Sequence, residues 1–191
     1  GRVLDLLAVP TEALGHRAPT AEALCASLRR WFSADKVVMV GQGRPQPVAM
    51  YHLDQAMLPL GGGRMAVPRV IGSRPRLEPD ASRIRHVRSF LAELRTLLTD
   101  LGYRLVPIDT PVDHVLGHRH FVNAIAYRDR RTERATVLLP IFNGPDGLPS
   151  RDEPFSTNRR RLEEAGFDVV GVPTSTDRLY GGIHCLVQVI Q

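Results

Sequence analysis

Leu-Gly-Tyr-Arg-Leu-Val at 101–106 and Ala-Gly-Phe-Asp-Val-Val at 165–170 share one register, 64 residues apart. Glycine just past an amphipathic stretch takes a left-handed turn with no Cβ penalty. Each stretch therefore reads as a helix end followed at once by a strand. Before the first, Ile84, Val87, Leu91, Leu94 and Leu98 step by three and four, the helical period, with Asp80 or Ser82 as the expected cap. Before the second, a helix is expected over about 157–165. An earlier helix, capped by Thr20, carries Leu24, Leu28, Trp31 and Phe32 on one face and leads to the apolar strand Val37-Val38-Met39-Val40. Twelve residues beyond the last apolar position of each strand (Val40, Ile108, Val172) stand His52, His120 and His184.

Further strands are expected at 65–70, 121–127, 135–141 and 183–190. Gly61-Gly62-Gly63 joins two apolar runs as a hairpin loop. It is no phosphate cradle, because no Gly-Lys-Ser/Thr follows it. The stretch 143–149 reads as a surface loop. Repeated strands with one helix per unit predict an α/β repeat closed around an axis, helices outside and strands inside, with 1–191 as a single domain.

Composition is that of a globular chain: 191 residues, 43% hydrophobic and 24% charged, which excludes disorder and a collagen-like fibre. No apolar run approaches the ~20 residues of a membrane span, and no signal-peptide pattern opens the chain, so the expected location is the cytoplasm, with no membrane partner. Cys25 and Cys185 cannot make a disulfide framework. The net charge is +5 and Lys36 is the only lysine. The arginine-dense runs, Arg128–Arg130–Arg131–Arg134 and Arg159–Arg160–Arg161, are interleaved with Asp129, Glu133, Glu163 and Glu164. They read as solvated faces rather than a nucleic-acid footprint.

Three segments carry candidate chemistry. His52-Leu53-Asp54 has a strand pattern, whose period of two would put imidazole and carboxylate on one face. His118-Arg119-His120 precedes a strand and reads as loop rim or strand start. Gly181-Gly182-Ile183-His184-Cys185 sets a thiol after a diglycine turn that lets a substrate approach closely. Cys25, on an apolar helix face, reads as a small buried hydrophobe. A cysteine, a histidine and an aspartate meeting in one cleft is the pattern of nucleophilic catalysis with a general acid/base.

Gly-Gly-Ile-His-Cys at 181–185, paired with His-Leu-Asp at 52–54, resembles the guanidino-group-modifying enzymes of the pentein superfamily. It looks most like the C-terminal portion of agmatine deiminase and of the bacterial peptidylarginine deiminases. Phe-Val-Asn-Ala-Ile-Ala at 121–126 and the Asn-Arg-Arg helix at 158–160 leading to Gly166 look like the same half, and the likeness runs from about residue 36 to the end. The resemblance implies a pentein-type α/β propeller of strand-helix units around a pseudo-symmetry axis, incomplete in this chain. It implies a hydrolase that turns a guanidino group into a ureido group and ammonia without a cofactor. Cys185 would attack the guanidinium carbon, His52 would act as acid and then base, Asp54 would hold the guanidinium, and Gly181 and Gly182 would line the substrate's approach. The substrate would be free arginine, agmatine, methylated arginine or a peptidyl arginine.

The family's Glu-Gly-Gly segment and an earlier aspartate precede its His-x-Asp, and Gly1-Arg2-Val3-Leu4 matches the point just after such a segment. The N-terminal units are therefore expected to have been removed or to be supplied by a companion chain, or else this short form closes differently. Four other readings stay open: an amidinotransferase, a binding or regulatory module without turnover, nucleic-acid binding from the basic balance, and a metal site drawn from His52, Asp54, His118, His120, His184 and Cys185. The last lacks any tight zinc spacing.

Overall fold

The computed structural model describes residues 20–32, 37–38, 40, 47–50, 52–73, 75–129, 131–143, 152–174 and 183–184. The chain divides into two compact units, residues 6–45 and residues 46–191 together with 1–5. In the smaller unit, helix α1 (Ala21–Phe32) starts where the Thr20 hydroxyl oxygen accepts the Ala23 amide proton at 3.2 Å. Leu28 is buried, but Trp31 is 76% exposed and does not share its face as expected. Val37, Val38 and Val40 form no strand, and Met39 lies outside the described residues.

The larger unit repeats one motif. Strands β1 (Leu58–Gly61) and β2 (Arg64–Ile71) form an antiparallel hairpin, and helix α2 (Asp80–Asp100) then crosses over to β3 (Arg104–Pro111), parallel to β2. After the short helix α3 (Val112–Leu116), the same order returns: β4 (Ile125–Arg128) antiparallel to β5 (Ala135–Phe142), helix α4 (Glu153–Glu164), and β6 (Asp168–Thr174) parallel to β5. The result is an α/β unit with two three-stranded mixed sheets, ordered β1-β2-β3 and β4-β5-β6. Among the described residues the sheets do not join into a closed barrel.

Local chemistry explains each element. Gly61, Gly62 and Gly63 all have positive φ, which a tight hairpin of this hand requires. Gly102 and Gly166 end α2 and α4 at φ of 84° and 88°, as the two quoted stretches predict. Pro68 sits mid-strand in β2 because β1 pairs only residues 64–66, leaving that side of β2 without a partner that needs its missing N–H. Pro140 repeats this in β5, beyond Leu138, where the pairing of β5 with β4 stops.

Neither helix start is where the sequence placed it. Neither Asp80 nor Ser82 caps α2. The chain enters through Pro79, and the Glu78 carboxylate accepts the Ser82 amide proton at 2.9 Å, which suits the positive end of the helix dipole. Helix α4 begins four residues early, because Asp152 accepts the Phe155 amide proton at 2.9 Å and Pro154 follows in the first turn. Residues 121–124 form turns instead of strand. Phe121, Val122, Asn123 and Ala124 are all buried, so there is no in-out alternation to specify a sheet face.

The core runs through both repeats: Leu58, Leu60 and Ile108 of the first pack with Phe121, Leu139, Ile141, Phe155 and Leu162 of the second. Asn158 of α4, fully buried, docks on β3. Its Oδ1 accepts the Asp109 N–H at 2.7 Å, and its Nδ2 donates to the Asp109 carbonyl at 2.8 Å. The Asp109 carboxylate takes a two-pronged bond from Arg69 (2.6 and 2.9 Å) and lies 2.8 Å from Arg161. Burial pushes this carboxyl up, yet the two arginines outweigh it and hold its pKa below the usual carboxylate value. The exposed arginine runs also stand beside acids, Arg128 with Glu133, Arg134 with Asp168, and Arg159 with Glu163. Among the described residues, no helix is long and apolar enough to cross a membrane.

Candidate functional site

Residues 52–55 are not a strand. His52 is extended and leads into a 3₁₀ turn, Leu53–Gln55, closed by the Gln55 N–H on the His52 carbonyl at 3.0 Å. The buried Gln55 side chain reaches back and accepts the His52 N–H at 3.2 Å. The strand period that would set His52 and Asp54 on one face is therefore not the local geometry. An imidazole from a distant part of the chain meets Asp54.

That imidazole belongs to His184, 130 positions later: its Nδ1 stands 2.9 Å from Asp54 Oδ2. The His184 N–H also donates to the Asn123 carbonyl at 3.3 Å, so main chain and side chain are anchored on two different segments. Ile183 is buried beside it, and neither Ile183 nor His184 is in the strand expected from 183 onward. Gly181, Gly182 and Cys185 lie outside the described residues. The hydrogen bond that the His184 ring donates to the Asp54 carboxylate raises the His184 pKa above the ordinary histidine value, partial burial opposing it.

His120 completes the group. It closes the turn that places Asn123, whose N–H donates to the His120 carbonyl at 3.0 Å. The chain reaches it through Gly117, which ends α3, and His118, which takes a left-handed φ of 55°. The His120 ring is wholly buried, and neither nitrogen completes a hydrogen bond of normal geometry. Burial drives its pKa down to about 4; the Ala49 carbonyl and the Asp54 charge offset only part of this. The ring is therefore neutral near pH 7, and it stands within electrostatic reach of Asp54.

Behind it lies an aromatic layer. Phe121 meets Phe142 edge-on at 5.2 Å, and the His114 ring packs on both at 5.4 and 5.8 Å. His114 Nε2 is 3.8 Å from Asp152, the cap of α4, and burial lowers its pKa. Two consequences follow for the expected site. Of the residues expected to act, Asp54 pairs with His184, its charge also reaching the buried His120, while Cys185 immediately follows His184 in sequence. His120, read from sequence as loop rim or strand start, is instead fully buried; its twelve-residue spacing from Ile108 and its place in His118-Arg119-His120 are the signals that mark it. Among the described residues, no three histidine, cysteine, aspartate or glutamate side chains gather as a metal-binding group.

No protein-family model and no curated protein matches the sequence. Solved structures do match in shape. C. jejuni agmatine deiminase superposes with a TM-score of 0.60 at 12% identity, over 92% of this chain and 49% of that one. A candidate peptidyl-arginine deiminase gives 0.53 at 14% identity, over 91% and 49%. The chain thus spans about half the length of these proteins. In fold, this chain resembles the pentein deiminases, the group to which its Gly-Gly-Ile-His-Cys and His-Leu-Asp segments pointed.

Proposed function

We propose that this chain is a guanidino-group hydrolase, deiminase-like, acting on a small guanidino compound or a peptidyl arginine. The observation that supports it is the pairing of Asp54 with His184, drawn from segments 130 residues apart, directly before a cysteine in the chain. Consecutive Cα atoms are about 3.8 Å apart, so anchoring His184 tethers Cys185 to the same neighbourhood.

In this reading, Asp54 accepts N–H bonds from the planar guanidinium, and the neutral His120 leaves the carboxylate's charge uncancelled. The Cys185 thiolate adds to the guanidinium carbon, forming a C–S bond. Protonated His52 gives its proton to the departing nitrogen, and ammonia leaves a thiouronium on the sulfur. The same imidazole then takes a proton from water, whose oxygen adds to the carbon. The C–S bond breaks with its electron pair on sulfur, releasing the ureido product. The bound cation favours the thiolate it is to meet. This chemistry calls on no cofactor.

The two ββαβ repeats serve here as successive units of a pentein propeller, the remaining units coming from preceding residues or a companion chain. The half-length match favours one second reading, a guanidino-binding module without turnover. Incubating the chain with agmatine, free arginine and an arginine peptide, with Cys185→Ala as control, separates them. The hydrolase gives ammonia and a ureido product, and intact mass shows a Cys185 adduct. Binding by calorimetry with neither product nor adduct supports the module, while transfer of the amidino group to an added amine marks an amidinotransferase. No binding and no product with any of the three rejects the guanidino reading.

A further inference from the structure

We propose that a guanidino substrate and the proton on His184 compete for Asp54, so that substrate binding expels a proton and acid weakens it. This rests on the guanidino reading and adds a regulation of the same site.

The geometry supplies the competition. A protonated imidazole is a planar cation that offers N–H groups to a carboxylate, the same recognition a guanidinium uses. His184 already holds this position, its Nδ1 2.9 Å from Asp54 Oδ2. The Asp54 side chain is only 21% exposed, so there is little room for two cationic donors on it. A guanidinium docked on both oxygens would stand beside the imidazolium, and two positive charges at such range repel. His184 resolves the conflict by giving up its proton, or by turning away, since its side chain is 55% exposed while its main chain stays anchored on Asn123.

His52, two residues before Asp54 in the chain, is also titratable, and the His184→Gln variant separates its share of the pH dependence from that of His184. Among the described residues, Asp54 is the charged group that acts on His184. His120, facing Asp54 from the segment before β4, stays neutral down to about pH 4. The charges of His118 and His114 bear on His120, and both groups have pKa values lowered by burial, with Arg83 adding to the effect at His118 and Arg119 at His114. Linkage then fixes the sign. A ligand that lowers the His184 pKa must bind more weakly where His184 is protonated, by up to about tenfold per pH unit below that pKa.

The test uses the full chain carrying Cys185→Ala, which prevents turnover, with agmatine and N-acetyl-argininamide as probes. Calorimetry across pH 5 to 8, in buffers of different ionisation heat, reads both affinity and protons released. The expected result is a Kd that rises as pH falls, with proton release on binding. Adding His184→Gln, which keeps a donor but does not titrate, flattens the profile and abolishes the release. Binding with the same Kd at every pH and no released proton overturns the competition alone and leaves the guanidino reading in place. A His184→Gln protein that keeps the full pH dependence does the same. If neither probe binds at any pH, the guanidino reading falls and takes this inference with it.

Discussion

His120→Asn should flatten the acid limb of the stability curve. The wild-type ring is completely buried and has a pKa of about 4, against 6.5 for an ordinary histidine. The folded state therefore refuses a proton that the unfolded chain accepts. Stability from this residue is full above pH 6.5 and is lost as pH falls from there toward 4. Integrating the two titrations from pH 7.5 to 5 gives a loss of about 2 kcal/mol at one group. For a chain of this size that corresponds to a fall of roughly 4–8 °C in Tm. The measurement is urea unfolding at half-unit steps from pH 7.5 to 5, on wild type and His120→Asn. His114 and His118 have lowered pKa values too, but they remain in both proteins, so the difference in slope isolates residue 120. The variant will be less stable at every pH if the amide packs poorly; only its pH dependence matters. Parallel curves over this range would refute the placement of a neutral imidazole in the core beside Asp54.

Other substitutions probe the frame around the site. Asn158→Ala removes both bonds to the Asp109 main chain and leaves buried polar groups behind, so it should cost about 2–4 kcal/mol in urea unfolding; a loss under about 0.5 kcal/mol would remove α4 from its proposed role on β3. At Gly171 an added Cβ would stand 2.7 Å from Ile141 Cδ1 and 2.9 Å from Phe155 Cζ, both on buried side chains. Gly171→Ala should therefore lower stability by about 1–3 kcal/mol through overpacking, and an equally stable variant would contradict the close approach of β6 to α4. For His184, the raised pKa means its ion pair with Asp54 stabilises the fold fully below pH 6.5, and the gain fades as pH rises through the folded pKa. With the side chain more than half exposed, the stability change is small, so NMR titration is the better readout. Asp54→Asn should return His184 to the ordinary histidine range, and an unmoved titration would break the pair.

Local rules in the sequence determined much of this chain. Three glycines between apolar runs close the β1–β2 hairpin, since few other residues tolerate φ near 60–80°. The register shared by 101–106 and 165–170 gave the two helix-to-strand junctions, because the end of a helix and its glycine are short-range events. Where partners lie far away, local pattern misled. The apolar run at 37–40 offers no more than β propensity, which needs a neighbouring strand to be realised. Residues 121–124 look like strand by composition, yet burial on every side turns them into turns. The strand expected over 52–54 gives way to a 3₁₀ turn, where the Gln55 side chain folds back to the His52 N–H. Only tertiary structure could bring Asp54 to His184 and seal His120 from water. A hydrogen bond across 130 residues, and the desolvation of a ring, depend on which segments the core draws together, and no window of neighbouring residues contains that information.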